Sequence, residues 1–205
     1  ARVEGEISQI NIKKRGGILY YSCTLNSPRY SGAVDTIQVE IPKRLVERKG
    51  ITLREGVVLN LKGEFRSRTA RENGISHLIL FFLAKDILPT DGYYNKVYFQ
   101  GFICKQPVYR ETPFKKQICE ILLAVNRPLS HESDYIPCIL WGTNAITVRD
   151  LPIGTKISGE GRIQSRKYSK QYENGEISTK IAYEVSLNSM KVEALPVPAD
   201  DKAEA

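Results

Sequence analysis

The sequence predicts an all-β chain built as two tandem five-stranded Greek-key barrels, each with a short helix between its third and fourth strands. Three observations lead there. First, the halves repeat each other: Gly63-Glu64-Phe65-Arg66-Ser67-Arg68 recurs as Gly161-Arg162-Ile163-Gln164-Ser165-Arg166, and Leu53…Gly56 recurs as Leu151…Gly154, both at an offset of 98. A period near a hundred residues is too long for a solenoid and suits two copies of a small domain. Second, apolar and polar residues alternate with period two over ten segments bounded by Gly, Pro, Asn or Ser. Third, Asn73-Gly74 and Asn174-Gly175 stand at matching places as hairpin-turn dipeptides.

In order, the alternation predicts strands over Val3–Ile12, Ile18–Asn26, Thr36–Ile41, Val57–Arg66 and Ser76–Lys85 in the first half. In the second it predicts Lys96–Lys105, Ile118–Asn126, Tyr135–Trp141, Lys156–Gln164 and Lys180–Ser189. Pro42–Lys49 and Thr143–Arg149 have the length and residue types of a helical turn or two. Five strands with a helix between the third and fourth is the layout of the OB-fold, so two tandem five-stranded OB-fold Greek-key barrels are expected. The expected divisions are 1–88, a linker over 89–96, a second domain over 97–192, and an acidic disordered tail over 193–205. Glycines cluster in Ile157-Ser158-Gly159-Glu160-Gly161. A strongly coiled strand needs close backbone approach at such a point, and Gly5, Gly63 and Gly161 are read as structural.

Charge narrows the function classes. Residues 1–95 hold 15 Lys/Arg against 10 Asp/Glu, residues 96–192 hold 14 against 9, and the tail holds one against four. Two basic bodies fit a polyanionic ligand, although an ordinary soluble domain of high pI also fits. Cys23, Cys104, Cys119 and Cys138 form no C-x-x-C pair, and only His77 and His131 could join them, so no metal and no cofactor are expected. No phosphate loop, nucleophile elbow or convergent catalytic set is present, and the chain is read as not an enzyme. No apolar run approaches the ~18 residues of a membrane span, and no signal-peptide core is seen; a soluble, cytoplasmic protein with no membrane partner is expected.

Candidate binding residues lie in the second half. In Tyr135-Ile136-Pro137-Cys138-Ile139-Leu140-Trp141, period two places Ile136, Cys138 and Leu140 inward and Tyr135, Pro137, Ile139 and Trp141 outward. Outward aromatics suit stacking of unpaired bases, worth about 1–3 kcal/mol per base; a subunit interface or a cross-strand aromatic pair fits the strand equally. The run Arg166-Lys167-Tyr168-Ser169-Lys170-Gln171-Tyr172 alternates cations with aromatics around a turn, which can grip a backbone and stack bases or simply coat a solvated hairpin. Asn126 and Arg127 end a strand and could donate to phosphates or base edges, and Arg162 joins the basic stretch.

With these residues in place, 97–190 resembles the bacterial single-stranded DNA-binding proteins of the SSB family. The resemblance rests on Gly101, Leu122-Leu123-Ala124-Val125-Asn126, Leu140-Trp141-Gly142, Gly154 and Gly161-Arg162-Ile163-Gln164-Ser165-Arg166-Lys167-Tyr168. It implies stacking at Tyr135, Trp141 and Tyr168, with Arg166, Lys167 and Lys170 lining the strand path. It also implies a homodimer giving four OB-folds, single-stranded DNA as partner with RNA as the alternative, and work in replication, recombination or repair. Replication or repair proteins would be recruited through the tail. Primosomal and RNA-binding OB proteins share the scaffold, and a protein-interaction module is a further alternative. The first half departs from the pattern: Thr36, Glu40 and Pro42 stand where Tyr135, Ile139 and Trp141 stand, and Ala70 replaces Tyr168. Arg66, Arg68 and Arg71 keep a basic rim, and Tyr20, Tyr21 and Tyr30 could stack elsewhere. The expectation is asymmetric, with the second fold holding bases and the first guiding phosphates or serving assembly. The tail Asp200-Asp201-Lys202-Ala203-Glu204-Ala205 is acidic but lacks the terminal Pro-Phe usual in the family.

Overall fold

In a computed structural model of the chain, residues 1–72, 74–90, 92–128, 130–171, 175 and 177–196 are described. The first half forms β1 (Arg2–Arg15), β2 (Ile18–Pro28), β3 (Val34–Pro42), α1 (Lys43–Arg48), β4 (Val58–Glu72) and β5 (Ile75–Leu88). Gly16 and Gly17, with φ of 54° and 79°, turn β1 into β2; two successive positive φ values match the right-handed twist of a hairpin, and glycine takes them without a Cβ clash. β1 pairs with β2 through its C-terminal part and with β4 through its N-terminal part (Ile12↔Tyr21, Val3↔Leu61). The register shifts between Ser8 and Asn11, where Gln9 has φ 54°. β2 pairs antiparallel with β3, β3 parallel with β5, and β5 antiparallel with β4. The circuit β1-β2-β3-β5-β4 therefore closes into a five-stranded barrel with no free edge. Val3, Ile7, Leu25, Ile37, Val39, Leu61 and Phe82 fill it, all at 0% exposure. Leu45 and Val46 of α1 are buried as well.

The second half forms β6 (Asn95–Ile103), β7 (Val108–Glu111), β8 (Gln117–Asn126), β9 (Ser133–Trp141), α2 (Thr143–Arg149), β10 (Lys156–Gln171) and β11 (Ile177–Ala194). Neighbours run β6-β10-β11-β9-β8-β7, and β6 also pairs with β8 (Phe102↔Ala124). A Cβ on Gly63 would lie 2.1 Å from the Leu83 carbonyl oxygen, and one on Gly161 would lie 2.2 Å from that of Ser186. The repeated glycine thus answers one requirement twice, an approach of strand backbone that no side chain permits.

Tertiary contacts divide the chain into Ala1–Val97 with Arg162–Val185, and Tyr98–Gly161 with the residues from Ser186 on. This departs from the division at 89–96 expected from the repeat. The reason is length: β10 and β11 have 16 and 18 residues, about 50 Å and more at ~3.3 Å per residue. Each of these two strands therefore has residues in both units. Three further expectations change. Val108–Glu111, too short to show a period, is a strand paired with β8. β11 runs on to Ala194, and Ser158 Oγ donates to Glu193 Oε1 at 2.5 Å, so the first residues assigned to the tail are strand. Ile139, placed outward by its parity, is 5% exposed; Cys138, Ile139 and Leu140 are buried in succession, and α2 packs on β8 and β9.

Candidate nucleic-acid interface

Outward aromatics are built by strand parity. On β9, Tyr135 and Trp141 lie six residues apart, about 20 Å along one face at ~3.3 Å per residue. They are 44% and 41% exposed, while Ile136 and Leu140 beside them are at 0%. Tyr135 stands opposite Ala124 and Trp141 opposite Ile118 of β8. Tyr168 on β10 is 39% exposed, with the Arg166 guanidinium 6.0 Å from its ring centroid. Lys167 is exposed between them and Lys170 follows on the same strand. Tyr172 lies outside the described residues.

Arg166 Nε lies 3.6 Å from Glu184 Oε1, and the remaining predicted arginines are likewise paired with acids. Arg127 Nε and Nη2 donate to Asp134 at 3.0 and 2.9 Å, and Glu132 also meets this guanidinium. Asp134 is 2% exposed, and its hydrogen bond is the main cause raising the Arg127 pKa. Asn126 Oδ1 accepts from Ser133 Oγ at 3.0 Å. Arg162 Nη1 lies 3.1 Å from Asp35 Oδ2 and its Nη2 donates to Gln164 Oε1 at 3.0 Å. Burial, then repulsion from Arg29, pulls the Arg162 guanidinium below its usual pKa, with Asp35 acting the other way; it stays a cation at any ordinary pH. Arg66 Nε lies 3.4 Å from Glu64. Arg68 donates to Glu40 at 2.7 Å and sits 4.6 Å over the Phe81 ring.

Of the predicted residues, Tyr135, Trp141, Asn126 and Arg127 belong to the second unit, and Arg66, Arg68, Arg162, Arg166, Lys167 and Tyr168 to the first. The sequence reading missed two outward aromatics of the second unit, Tyr98 and Phe102, on one face of β6 at 59% and 37% exposure. The alternation of Asn95–Ile103 was the available signal. Phe114, between β7 and β8, is 87% exposed. Tyr30, offered by the sequence as a stacking residue, is 101% exposed in a loop, and Tyr93, in the expected linker, is 70% exposed.

Among the described residues, no group of His, Cys, Asp and Glu could hold a metal ion. Cys23, Cys119 and Cys138 are buried; burial pushes the Cys23 thiol up to about 12 and the Cys119 thiol to about 11, the opposite of an activated nucleophile. Also among the described residues, no helix is long and apolar enough to cross a membrane.

Residues 94–192 match the model of the "Single-strand binding protein family". The chain is 36% identical over 80 residues to a single-stranded DNA-binding protein of Halalkalibacterium halodurans, covering 36% of this chain and 48% of the relative. It is 35% identical over 83 residues to single-stranded DNA-binding protein 1 of Staphylococcus aureus, covering 38% and 50%. The chain thus spans about half the length of the curated relatives it matches. The crystal structure of the wild-type single-stranded DNA-binding protein from Thermus aquaticus superposes with a TM-score of 0.74 at 18% identity, covering 97% of this chain and 94% of that one. A deletion mutant of the same protein gives 0.73, covering 98% and 96%. At that identity the likeness concerns the fold.

Proposed function

We propose that the chain binds single-stranded DNA with little sequence preference, on the premise that its residues 94–192, which match the single-strand binding protein family model, act as that family does. The observation that carries this reading is the half-exposure of Tyr135 and Trp141 on β9, whose other face is packed, with Tyr168 half-exposed in the basic stretch of β10. Bases stack on these three rings, since every base has a π-face. Arg166 and Lys167 take phosphates along β10. Arg127 and Arg66, already engaged with neighbours, add positive field more than direct contacts, and Asn126 supplies a neutral amide beside them.

The neighbour order β6-β10-β11-β9-β8 repeats β1-β4-β5-β3-β2, which supports a second OB-fold and hence two tandem copies in one chain. A homodimer then presents four. The work of such a protein is to cover exposed strands in the cytoplasm, at the nucleoid, during replication, recombination or repair, with the acidic tail available to partner proteins. Binding is asymmetric. The first fold has Thr36, Pro42 and Ala70 where the second has its aromatics, and Glu40 holds Arg68 and Arg15. That occupied face favours a second reading for the first fold alone, as a surface for assembly.

The sole tryptophan provides the test. Titration with an unlabelled thymidine oligomer at two salt concentrations, followed by Trp141 fluorescence beside duplex and RNA controls, is expected to give saturable quenching by the DNA single strand only. Affinity should fall with salt at a log–log slope of about −0.7 per neutralised phosphate. Equal or tighter binding of RNA would move the assignment to RNA, and absence of both quenching and binding would make the aromatic face an interface.

A further inference from the structure

We infer that the first unit carries an additional nucleobase-binding site, in which an unstacked base of a single strand lies against Tyr30 and Tyr93 while its phosphate meets Arg29 and Arg162. The inference rests on the reading that the chain binds single strands, and it adds a place where a base is held. Two adjoining cavities, of about 320 and 200 Å³, share walls made by Pro28, Arg29, Tyr30 and Tyr93. Asp35, Asn95 and Arg162 extend the larger one. Cavities near 300 Å³ lie at the lower end of the usual range for small ligands, suited to a single base rather than a folded partner.

The two rings are exposed yet stand on anchored backbone. Arg29 N–H donates to Ala33 O at 2.7 Å and Gly32 N–H to Arg29 O at 3.0 Å, closing a tight turn around Tyr30. Next to Tyr93, the Tyr94 carbonyl accepts from Glu4 N–H at 2.6 Å, and the Arg2 guanidinium lies 3.5 Å over the Tyr94 ring. Asn95 bridges the backbone of Ile163, donating to its carbonyl at 2.7 Å and accepting from its N–H at 2.9 Å. Fixed backbone at both walls lowers the ordering cost of binding.

The floor of the site is electrostatic. Asp35, at 0% exposure, accepts from Arg29 Nε at 2.6 Å and also from its Nη2, pairs with Arg162 at 3.1 Å, and accepts from Ser165 N–H at 2.9 Å. Two guanidiniums share one carboxylate, so the site keeps a net positive charge. Planar guanidiniums recognise phosphate and also stack on flat rings. Exposed aromatics above a net-positive arginine floor match a base with its phosphate, whereas an uncharged apolar ligand would leave the charge unanswered.

The test is photocrosslinking of the full chain with an oligothymidylate carrying 5-iododeoxyuridine, with adducts mapped to residues, alongside titrations of Tyr30→Ala, Tyr93→Ala and Tyr30→Phe. Adducts on Tyr30 or Tyr93 are expected beside those on the Trp141 face. Each alanine variant should lose roughly five- to hundredfold in affinity, the span of one base–aromatic stack, while Tyr30→Phe retains binding. The melting temperature should not move with Tyr30, whose side chain is fully exposed. Adducts confined to Tyr135, Trp141 and Tyr168, with the alanine variants binding as tightly as the unsubstituted chain, would overturn the additional site and leave single-strand binding standing. No saturable binding by the unsubstituted chain would overturn both.

Discussion

Glu40 in β3 and Ile139 in β9 occupy the same place in their strands, and each is 5% exposed, yet one is an acid and the other a hydrocarbon. The buried isoleucine asks nothing of its neighbours. The buried carboxylate must be neutralised, because an unpaired charge out of water is far too costly to keep. Glu40 draws in Arg68 at 2.7 Å and Arg15 at 2.8 Å, and those cations in turn lie 4.6 and 5.2 Å over the Phe81 ring. In the second half the counterpart of Arg68 is Arg166, whose side chain is 53% exposed beside Tyr168 and lies 3.6 Å from the Glu184 carboxylate. A buried acid at this place in the strand thus holds two cations at short range, where a buried hydrocarbon holds none.

The largest effect expected of any substitution here comes from the acids that begin β3 and β9. Asp35 holds two arginines and a backbone N–H, whereas Asp134 holds Arg127, which also meets Glu132. Asp35→Ala leaves Arg29 facing Arg162 with their shared carboxylate gone, and should cost about 3–5 kcal/mol, the usual scale for breaking a buried ion pair. Asp134→Ala should cost less, since Glu132 remains beside Arg127. Denaturant unfolding of the two variants makes the comparison, and equal losses would mean that the two acids do the same structural job.

Next in size is the contrast in binding. Trp141→Ala should weaken single-strand affinity by about 1–3 kcal/mol, one stacked base. Arg68→Ala should weaken it by well under about 1 kcal/mol, because Arg68 already answers Glu40 and is only an indirect source of field. Isothermal titration at fixed salt measures both, and equal losses would sink the asymmetry.

The smallest effect sharpens the same point. Glu40→Gln removes the buried charge and releases Arg15 and Arg68 toward solvent. The log–log salt slope should steepen by about 0.7 for each additional phosphate those cations reach. An unchanged slope with unchanged affinity would show that the strand never visits the first fold's face.

Much of the fold was legible in the residues. Period two located ten of the eleven strands among the described residues, and the recurrence of Gly63 at Gly161 announced a repeated close approach of backbone. The parity of β9 placed Tyr135 and Trp141 outward, and their exposure agrees. Parity failed at Ile139, because alternation assumes one packed and one solvated face, and here three successive residues are covered. It was silent at Val108–Glu111, where four residues hold too few repeats to show a period.

What the sequence by itself determined is the class of object: a repeated, basic, all-β chain with an aromatic strand face in its second half. Those properties are local, set by side-chain alternation, turn residues and composition, and each can be counted along the chain. What only the tertiary structure decided is how the charges are paired. Arg162 reads as a phosphate contact in sequence but shares Asp35, 127 positions away, with Arg29. Glu40 reads as an exposed acid but is buried under two arginines. Ion pairs form wherever folding brings opposite charges together out of water, and no spacing along the chain encodes that meeting.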